Sequence, residues 1–282
     1  MTIKKKICVI ISLYNPCLER LAVLIPNLLE QTDLVILVDN SSDNNKVVGF
    51  EYDKVKKISQ DNSGITGAMN SGIKYAGNSF DYFLLLDQDS YFSSVQLSKF
   101  IEDAIDSNYP IIAPTIVNSA GKSIHDSFFK AEKHGDKFSL VARTQLSGML
   151  IKYEVLGRVG LFNEDYFLNL GDTEWCLRAK KQGYDFRLNN CVQLVHDYGD
   201  GFSSLFGYKF FYGAPFRLHY RSRDSLRLIF SCVSSKKLKF KLFMKLCFTL
   251  FEILTLDSKL KRYKFFFSGI RAFFKQESGI MK

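Results

Sequence analysis

Four short strand-like runs early in the chain each stop at a polar or acidic residue, and this repetition most constrains the fold. They are Ile7–Leu13, Leu34–Val38, Val55–Ser59 and Tyr82–Leu86. The first, second and fourth are nearly uninterrupted apolar runs, the pattern of strands buried on both faces. Between the first two, Leu18–Gln31 places Leu21, Leu24, Ile25 and Leu28 at helical spacing. Strand, helix and strand in about forty residues form a βαβ unit, which implies a parallel sheet with a right-handed crossover. In such open sheets ligands bind beyond the carboxyl ends of the strands. Those ends carry Ser12, Tyr14 and Asn15, then Asp39, then the Asn62–Gly72 turn and helix, then Asp87-Gln88-Asp89.

The last of these suggests a metal. Two carboxylates one residue apart at a strand end suit a hard divalent cation, Mg²⁺ or Mn²⁺, that keeps positions open for substrate phosphates. Asp and Ser at such a place also cap helices, so the pair alone does not decide between the two uses. Gly64 and Gly67 allow either tight backbone or close ligand approach, and the helix after them favours an anion. Neither a G-x-G-x-x-G nor a G-x-x-x-x-G-K-[ST] sequence is present in this turn.

Composition narrows the class. With 46% hydrophobic and 24% charged residues over 282 positions, the chain reads as globular, with room for one large domain and an appendage. Six cysteines are scattered without a C-x-x-C pair, which fits reduced cytosolic thiols rather than a zinc site or disulfide scaffold. Met1–Lys6 leads straight into a strand, so no secretory signal is expected. The net charge of +9 is confined to one place. From Val233 onward there are 12 Lys/Arg and 3 Asp/Glu, leaving 26 of each sign before it. Lys237, Lys241 and Lys245 run beside Leu238, Leu242, Leu246 and Leu250, and no run approaches the roughly 20 apolar residues of a spanning helix. Basic residues mixed with Phe suit a helix lying on an anionic membrane surface. Packing on the core, or a homodimer through these helices, is the alternative. Phe runs without a binding module argue against nucleic acid.

Taken together, Ser12-Leu13-Tyr14-Asn15, Val38-Asp39-Asn40-Ser41-Ser42, the Asn62–Gly72 turn and Asp87-Gln88-Asp89 resemble the family 2 inverting glycosyltransferases. Later segments extend the likeness: Ser147-Gly148, and Gly171-Asp172-Thr173-Glu174-Trp175-Cys176-Leu177-Arg178 with Gly183. Gly171 stands where the family usually has a first acidic residue. The resemblance implies an α/β fold of GT-A type, Rossmann-like, with a mostly parallel sheet flanked by helices. A glycosyltransferase domain over 1–232 would comprise a nucleotide-sugar half, 1–110, and an acceptor half, 111–232. A basic amphipathic helical segment, 233–282, would follow.

By the same resemblance Asp172 is the general base and the expected N-cap of its helix. Glu174, Trp175, Ser147 and Gly148 would meet the acceptor. Ser12, Tyr14, Asn15, Asp39, Asn62, Gly64, Gly67, Asn70, Asp87, Gln88 and Arg178 would meet the nucleotide sugar. Asp89, Asp87 and His196 would hold the metal. Glu174 could instead serve an ion pair with Arg178 at i+4. Residues 122–137 read as a variable loop or hairpin over the site, and Tyr208–Arg227 as diphosphate contacts or a cover for the sheet edge. Glu174–Arg178, His196-x-x-Gly199-Asp200 and Tyr220-Arg221-x-Arg223-Asp224 look like bacterial rhamnosyltransferases. The implied donor is dTDP-L-rhamnose and the implied acceptor a polyprenyl-diphosphate-linked saccharide. The enzyme would be cytoplasmic and peripheral on the inner face of the plasma membrane. A nucleotidyltransferase would show a Gly-rich, basic turn after its first strand, which Ser12–Pro16 lacks. A non-catalytic scaffold of the same fold finds its support in Gly171.

Overall fold

A computed structural model of the chain describes residues 5–42, 47, 49–121, 123, 131–133, 135–196, 201–205 and 207–281. The strands are β1 (Ile7–Leu13), β2 (Leu34–Asp39), β3 (Val55–Ser59), β4 (Tyr82–Asp87), β5 (Ile111–Val117), β6 (Ala131–Lys133), β7 (Phe138–Val141), β8 (Leu150–Lys152) and β9 (Phe186–Val195). They form a single sheet in the order β3-β2-β1-β4-β8-β5-β9-β7-β6. β1 pairs in parallel with β2 and β4, β2 with β3, and β5 with β9, while β8 lies antiparallel between β4 and β5. The chain therefore winds outward from β1 to β3 and then returns to the other side of β1. That reversal between β1 and β4 is the switch point at which doubly wound sheets bind ligands. Ser147 and Gly148 lie in a turn that leads into β8, which begins only at Leu150.

The strand alternation explains the layers. Odd-numbered Val9 and Ile11 of β1 and even-numbered Leu84 and Leu86 of β4 pack with Leu21, Leu24, Ile25 and Leu28 of α1 (Leu18–Gln31) and with Leu97 and Phe100 of α3 (Ser94–Ser107). Cys8, Ile10, Phe83 and Leu85 point the opposite way. They pack against Ala68, Met69 and Ile73 of α2 (Gly64–Ala76), Val155 and Leu156 of α4 (Tyr153–Val159), and Trp175, Cys176 and Ala179 of α5 (Gly171–Lys181). The hairpin of β6 and β7 extends the sheet at its far edge beside β9, so the described part of 122–137 does not cover the switch point. Residues 122, 124–130 and 134 lie outside the described residues.

A second two-stranded sheet, β10 (Gly201–Leu205) with β11 (Tyr208–Tyr212), leads into α6 (Arg217–Phe230). α7 (Lys236–Glu252), a 3₁₀ turn (Ile253–Thr255) and α8 (Lys259–Phe274) follow. Leu218, Leu246, Ile253 and Phe266 make one cluster across these helices, so α6 packs with α7 and α8 as a unit. Tyr166, Leu228 and Leu242, with Leu177 of α5 against them, join that unit to the sheet domain. No described helix is long and apolar enough to cross a membrane.

Candidate active site

The register places Ser12 beside both Val38 and Asp87, so the ends of β1, β2 and β4 open together. Beyond them Asp87, Asp89 and His196 offer ligand atoms that all lie within 4.8 Å of one another. Two carboxylates and an imidazole form a donor set for Mn²⁺ or Mg²⁺. Burial pushes the Asp87 carboxyl up to about 6; Asp89 and Asp172 push the same way, and His196 and Arg217 oppose them. A cation at this point would relieve that penalty, so the residues fit the group. His196 also holds the Asp89 carboxyl below its ordinary range, against the effect of burial, from 3.2 Å away.

Two serines organise this cluster. Ser90 Oγ lies 3.0 Å from His196 Nδ1 and 2.6 Å from Ser147 Oγ, and the Asp87 backbone N–H donates to Ser147 Oγ at 3.0 Å. Tyr91 and Val195 exchange backbone hydrogen bonds, which pin the turn after Asp89 to the end of β9. Ser147 thus supports the metal-ligand turn and is buried, at 1% exposure, rather than facing an acceptor. Gly148 has φ +85°, its N–H donates to Leu85 O, and a Cβ there would meet Leu194 at 2.8 Å and Pro114 at 2.9 Å. The Ser-Gly pair is a packing turn.

Asp172 arrives through a chain of packed backbone. Asn40, at the end of β2, donates from Nδ2 to Gly64 O, Ile65 N–H donates to Phe167 O, and Thr66 Oγ1 donates to Tyr166 O. The segment before α5 is thereby stitched to the start of α2. The N-cap of α5 is Leu170, in the left-handed region at φ 61°, not Asp172. Asp172 instead lies in the first turn, where its Oδ1 accepts from the Thr173 N–H at 2.5 Å. Burial raises its pKa, and the charge of Arg143 opposes the rise. Arg143 Nη1 donates to Thr173 Oγ1 at 2.6 Å. The Asp172 charge is one of those that add to the effect of burial on Asp87.

A family model described as glycosyl transferase family 2 matches residues 8–163, more than half of the chain. The chain belongs to glycosyl transferase family 2. Over 234 residues it is 29% identical to a Shigella flexneri protein named dTDP-rhamnosyl transferase RfbF, covering 78% of each. Over 178 residues it is 25% identical to the Haloferax volcanii low-salt glycan biosynthesis hexosyltransferase Agl10, covering 57% of this chain and 58% of that one. Among solved structures, S. aureus TarS superposes with a TM-score of 0.56 at 15% identity, over 84% of this chain and 42% of that one. GalNAc-T7 with UDP, GalNAc and Mn²⁺ gives 0.58 at 12% identity, over 86% of this chain and 54% of that one. These two likenesses are of fold, and the fold is GT-A.

Several expected contacts of this family 2 glycosyltransferase prove to be internal supports. Trp175 is fully buried against Phe162, its Nε1–H donating to Gly160 O at 2.8 Å, so it cannot meet an acceptor. Glu174, 5% exposed, accepts from Arg178 Nε at 2.8 Å, while the Arg178 Nη atoms donate to Val159 O and Leu161 O. That pair ties α5 to the end of α4, which removes Arg178 from the nucleotide sugar. Asn70 is 2% exposed and binds the Phe162 backbone and Glu164. Gln88 donates to Tyr14 O and accepts from Tyr14 N–H, clamping β4 to β1. A Cβ at Gly64 would meet Phe167 O at 2.2 Å and one at Gly67 would meet Ser63 Oγ at 2.4 Å, so both glycines admit protein rather than ligand. The Asn62 carbonyl oxygen Oδ1 caps the Gly64 N–H.

What remains around the switch point is Ser12, Tyr14, Asn15, Asp39, the metal cluster and Asp172. Asp39 is 2% exposed, and its Oδ1 accepts from Ser41 N–H while Oδ2 is buried without a partner. The sequence reading missed Ser90 as a support and Arg143 altogether. Ser90 follows the carboxylate pair directly, a signal that was available, whereas nothing local marks Arg143. Residues 197–200 lie outside the described residues, and the His219 and Arg223 side chains line a cavity under residues 275–281, not the metal cluster.

Proposed function

We propose that this glycosyltransferase is an inverting enzyme that moves L-rhamnose from dTDP-L-rhamnose onto a bacterial cell-surface polysaccharide (O-antigen or capsule) or its lipid-linked precursor. The observation that carries the reading is the Asp87, Asp89, His196 cluster beyond the ends of β1, β2 and β4, whose ligand atoms lie within 4.8 Å of one another. A buried carboxylate of raised pKa is a competent base, because its conjugate acid is less costly to form. Asp172 takes the proton of the acceptor hydroxyl. That oxygen bonds to the anomeric carbon from the face opposite the nucleotide, and the electrons of the breaking C–O bond leave with the diphosphate. Mg²⁺ or Mn²⁺ held by Asp87, Asp89 and His196 would neutralise the charge on that leaving group. Arg217, whose charge reaches Asp87, adds a second cation on that side. The unpartnered Asp39 Oδ2 supports a hydrogen bond to the donor's base or ribose. The rhamnose and dTDP assignment is supported by the likeness to RfbF.

The membrane reading is supported by α7. At about 100° per residue, Phe240, Phe243, Met244 and Phe251 fall on one face, and all are exposed. Leu242, Leu246 and Thr249 fall opposite and are buried. The tail therefore has one apolar face for the protein and another, flanked by lysines, for an anionic bilayer at the cytoplasmic side.

The test is transfer from a panel of dTDP- and UDP-sugars with Mn²⁺. Asp172→Asn is expected to abolish transfer while keeping dTDP binding, and near-normal turnover of that variant would remove Asp172 as base. An EDTA-treated enzyme with an unchanged rate would sink the metal assignment. Flotation on phosphatidylglycerol vesicles tests the tail; a dimer that stays in the bulk phase would assign its outer face to a second copy.

A further inference from the structure

Two buried polar side chains of α6 face a part of the molecule that the glycosyl-transfer reading does not use. His219 and Arg223 are 3% and 1% exposed and stand one helical turn apart. The Tyr220 ring packs against both, 5.2 Å from the His219 ring centre and 5.0 Å from Arg223 Cζ. Both side chains line a cavity of about 330 Å³ whose other lining residues fall between Lys275 and Met281. Arg223 Nη1 donates to Gly279 O at 2.8 Å, and the Met281 N–H donates to Tyr220 Oη at 3.0 Å, so that segment is strapped onto α6. Arg223 Nε donates to Asp224 Oδ1, an oxygen it shares with Arg227 Nη1. Arg223 Nη2 and His219 Nε2 are buried without a hydrogen-bond partner. Folded proteins rarely leave such atoms unmatched, least of all on a guanidinium.

The roles of these two atoms follow from their neighbours. Ser268 Oγ donates its single hydrogen to Phe265 O at 2.8 Å, so toward His219 Nδ1, also at 2.8 Å, it can only accept. The imidazole proton therefore sits on Nδ1, and Nε2 carries a lone pair while the ring is neutral. Burial pulls the His219 pKa down to about 4; the charges of Arg223 and Arg227 act the same way and Glu277 opposes them, so the ring stays neutral. The cavity wall thus combines a cationic donor with a neutral acceptor. Sulfate or a simple carboxylate would satisfy only the donor, having no hydrogen to give. We propose that this cavity binds a protonated phosphate group, free or on a small ester, with an oxygen on Arg223 Nη2 and its P–O–H on His219 Nε2. Lys275 lines the same cavity and offsets Glu277, its neighbour at 3.8 Å. At about 30 Å³ per water, 330 Å³ exceeds what a phosphate ion alone needs, which leaves space for the organic part of an ester. The site shares no residue with the metal cluster and does not include Asp172, so it stands independently of the glycosyl-transfer reading.

The test is calorimetric titration of the full chain in EDTA, so that no cation can recruit an anion to Asp87 and Asp89. At pH 6, about the second pKa of a phosphomonoester, the ligand keeps a proton and the His219 ring is still neutral. Inorganic phosphate is expected to bind wild type at least about tenfold more tightly than sulfate, the reverse of the order that charge alone would give. Tighter binding of glycerol 3-phosphate than of inorganic phosphate assigns the site to an ester; otherwise free phosphate is the ligand. His219→Asn keeps an N–H for Ser268 and removes the acceptor, so the preference over sulfate should disappear. Lys275→Glu, at an exposed position that spares the fold, should weaken phosphate by about tenfold. In wild type, phosphate should also slow amide hydrogen exchange over residues 276–281 and in α6. The proposal is overturned by absent binding of both phosphates, by equal affinity for sulfate, or by unchanged binding in both variants. Slowed exchange confined to other segments overturns it as well, since water alone would then fill the cavity.

Discussion

Gly171 stands immediately before the proposed base, and replacing it by alanine tests how Asp172 is held. A Cβ there would lie 2.3 Å from Thr66 Cγ2. Thr66 cannot swing aside freely, because it is 2% exposed and its Oγ1 donates to Tyr166 O at 3.0 Å. Overpacking of this kind costs about 1–3 kcal/mol, and rotating the threonine instead forfeits a hydrogen bond worth about 1 kcal/mol. Alanine returns at most about 1 kcal/mol of helix propensity. The net expectation is a loss of about 1–2 kcal/mol, with Tm falling about 2–4 °C for each. Thr66→Ser removes the methyl and keeps the donor, so Gly171→Ala/Thr66→Ser should recover much of the loss. Thermal melts of the four proteins give a coupling of about 1 kcal/mol or more. A Gly171→Ala protein that melts with wild type, or singles that simply add, would refute the close approach of α5 to α2. Gly171→Asp, which restores the acidic residue the family usually has there, should depress transfer unless Thr66 is trimmed, because it displaces the turn that carries Asp172.

Ser90→Ala removes the hydroxyl shared by His196 and Ser147 and should weaken Mn²⁺ activation by about tenfold, read from the Mn²⁺ dependence of the rate; an unchanged dependence would detach Ser90 from the metal cluster. Trp175→Phe should leave the acceptor KM unchanged and cost about 1 kcal/mol through the lost bond to Gly160 O, seen in a thermal melt, whereas a raised KM would return Trp175 to the acceptor. The acidic limb of kcat/KM should lie above the ordinary carboxylate range, since Asp172 must be deprotonated to act and burial raises its pKa. Arg143→Met removes the charge that opposes that rise, so the limb should move to higher pH; a shift to lower pH would contradict the placement of Arg143.

Much of the donor half was legible because it is built locally. Apolar runs of period-free burial, a helix of regular period between them and an acidic end to β4 are properties of short windows, and they sufficed for α1, α2, β3 and the order of strand ends. The antiparallel insertion of β8 was not legible, since a three-residue strand carries too little pattern to announce its direction. The motif around Asp172 was legible as a motif but misread in its members. Polar residues such as Glu174, Arg178 and Asn70 look the same whether they meet a substrate or satisfy buried backbone, and only their neighbours distinguish the two. Trp175 offered the same ambiguity, because an aromatic beside a catalytic carboxylate is as useful to a core as to a sugar.

By itself, the sequence determined the α/β class, the family, the metal-suited pair Asp87 and Asp89, and the basic, Phe-rich character of the tail, all of which depend on residue type and spacing along the chain. The tertiary structure alone decided that Ser90 and Ser147 brace that pair, and that Asn70 turns inward to hold the Phe162 backbone. These relations join residues far apart in the chain, and they follow from which face each helix must bury rather than from any local pattern.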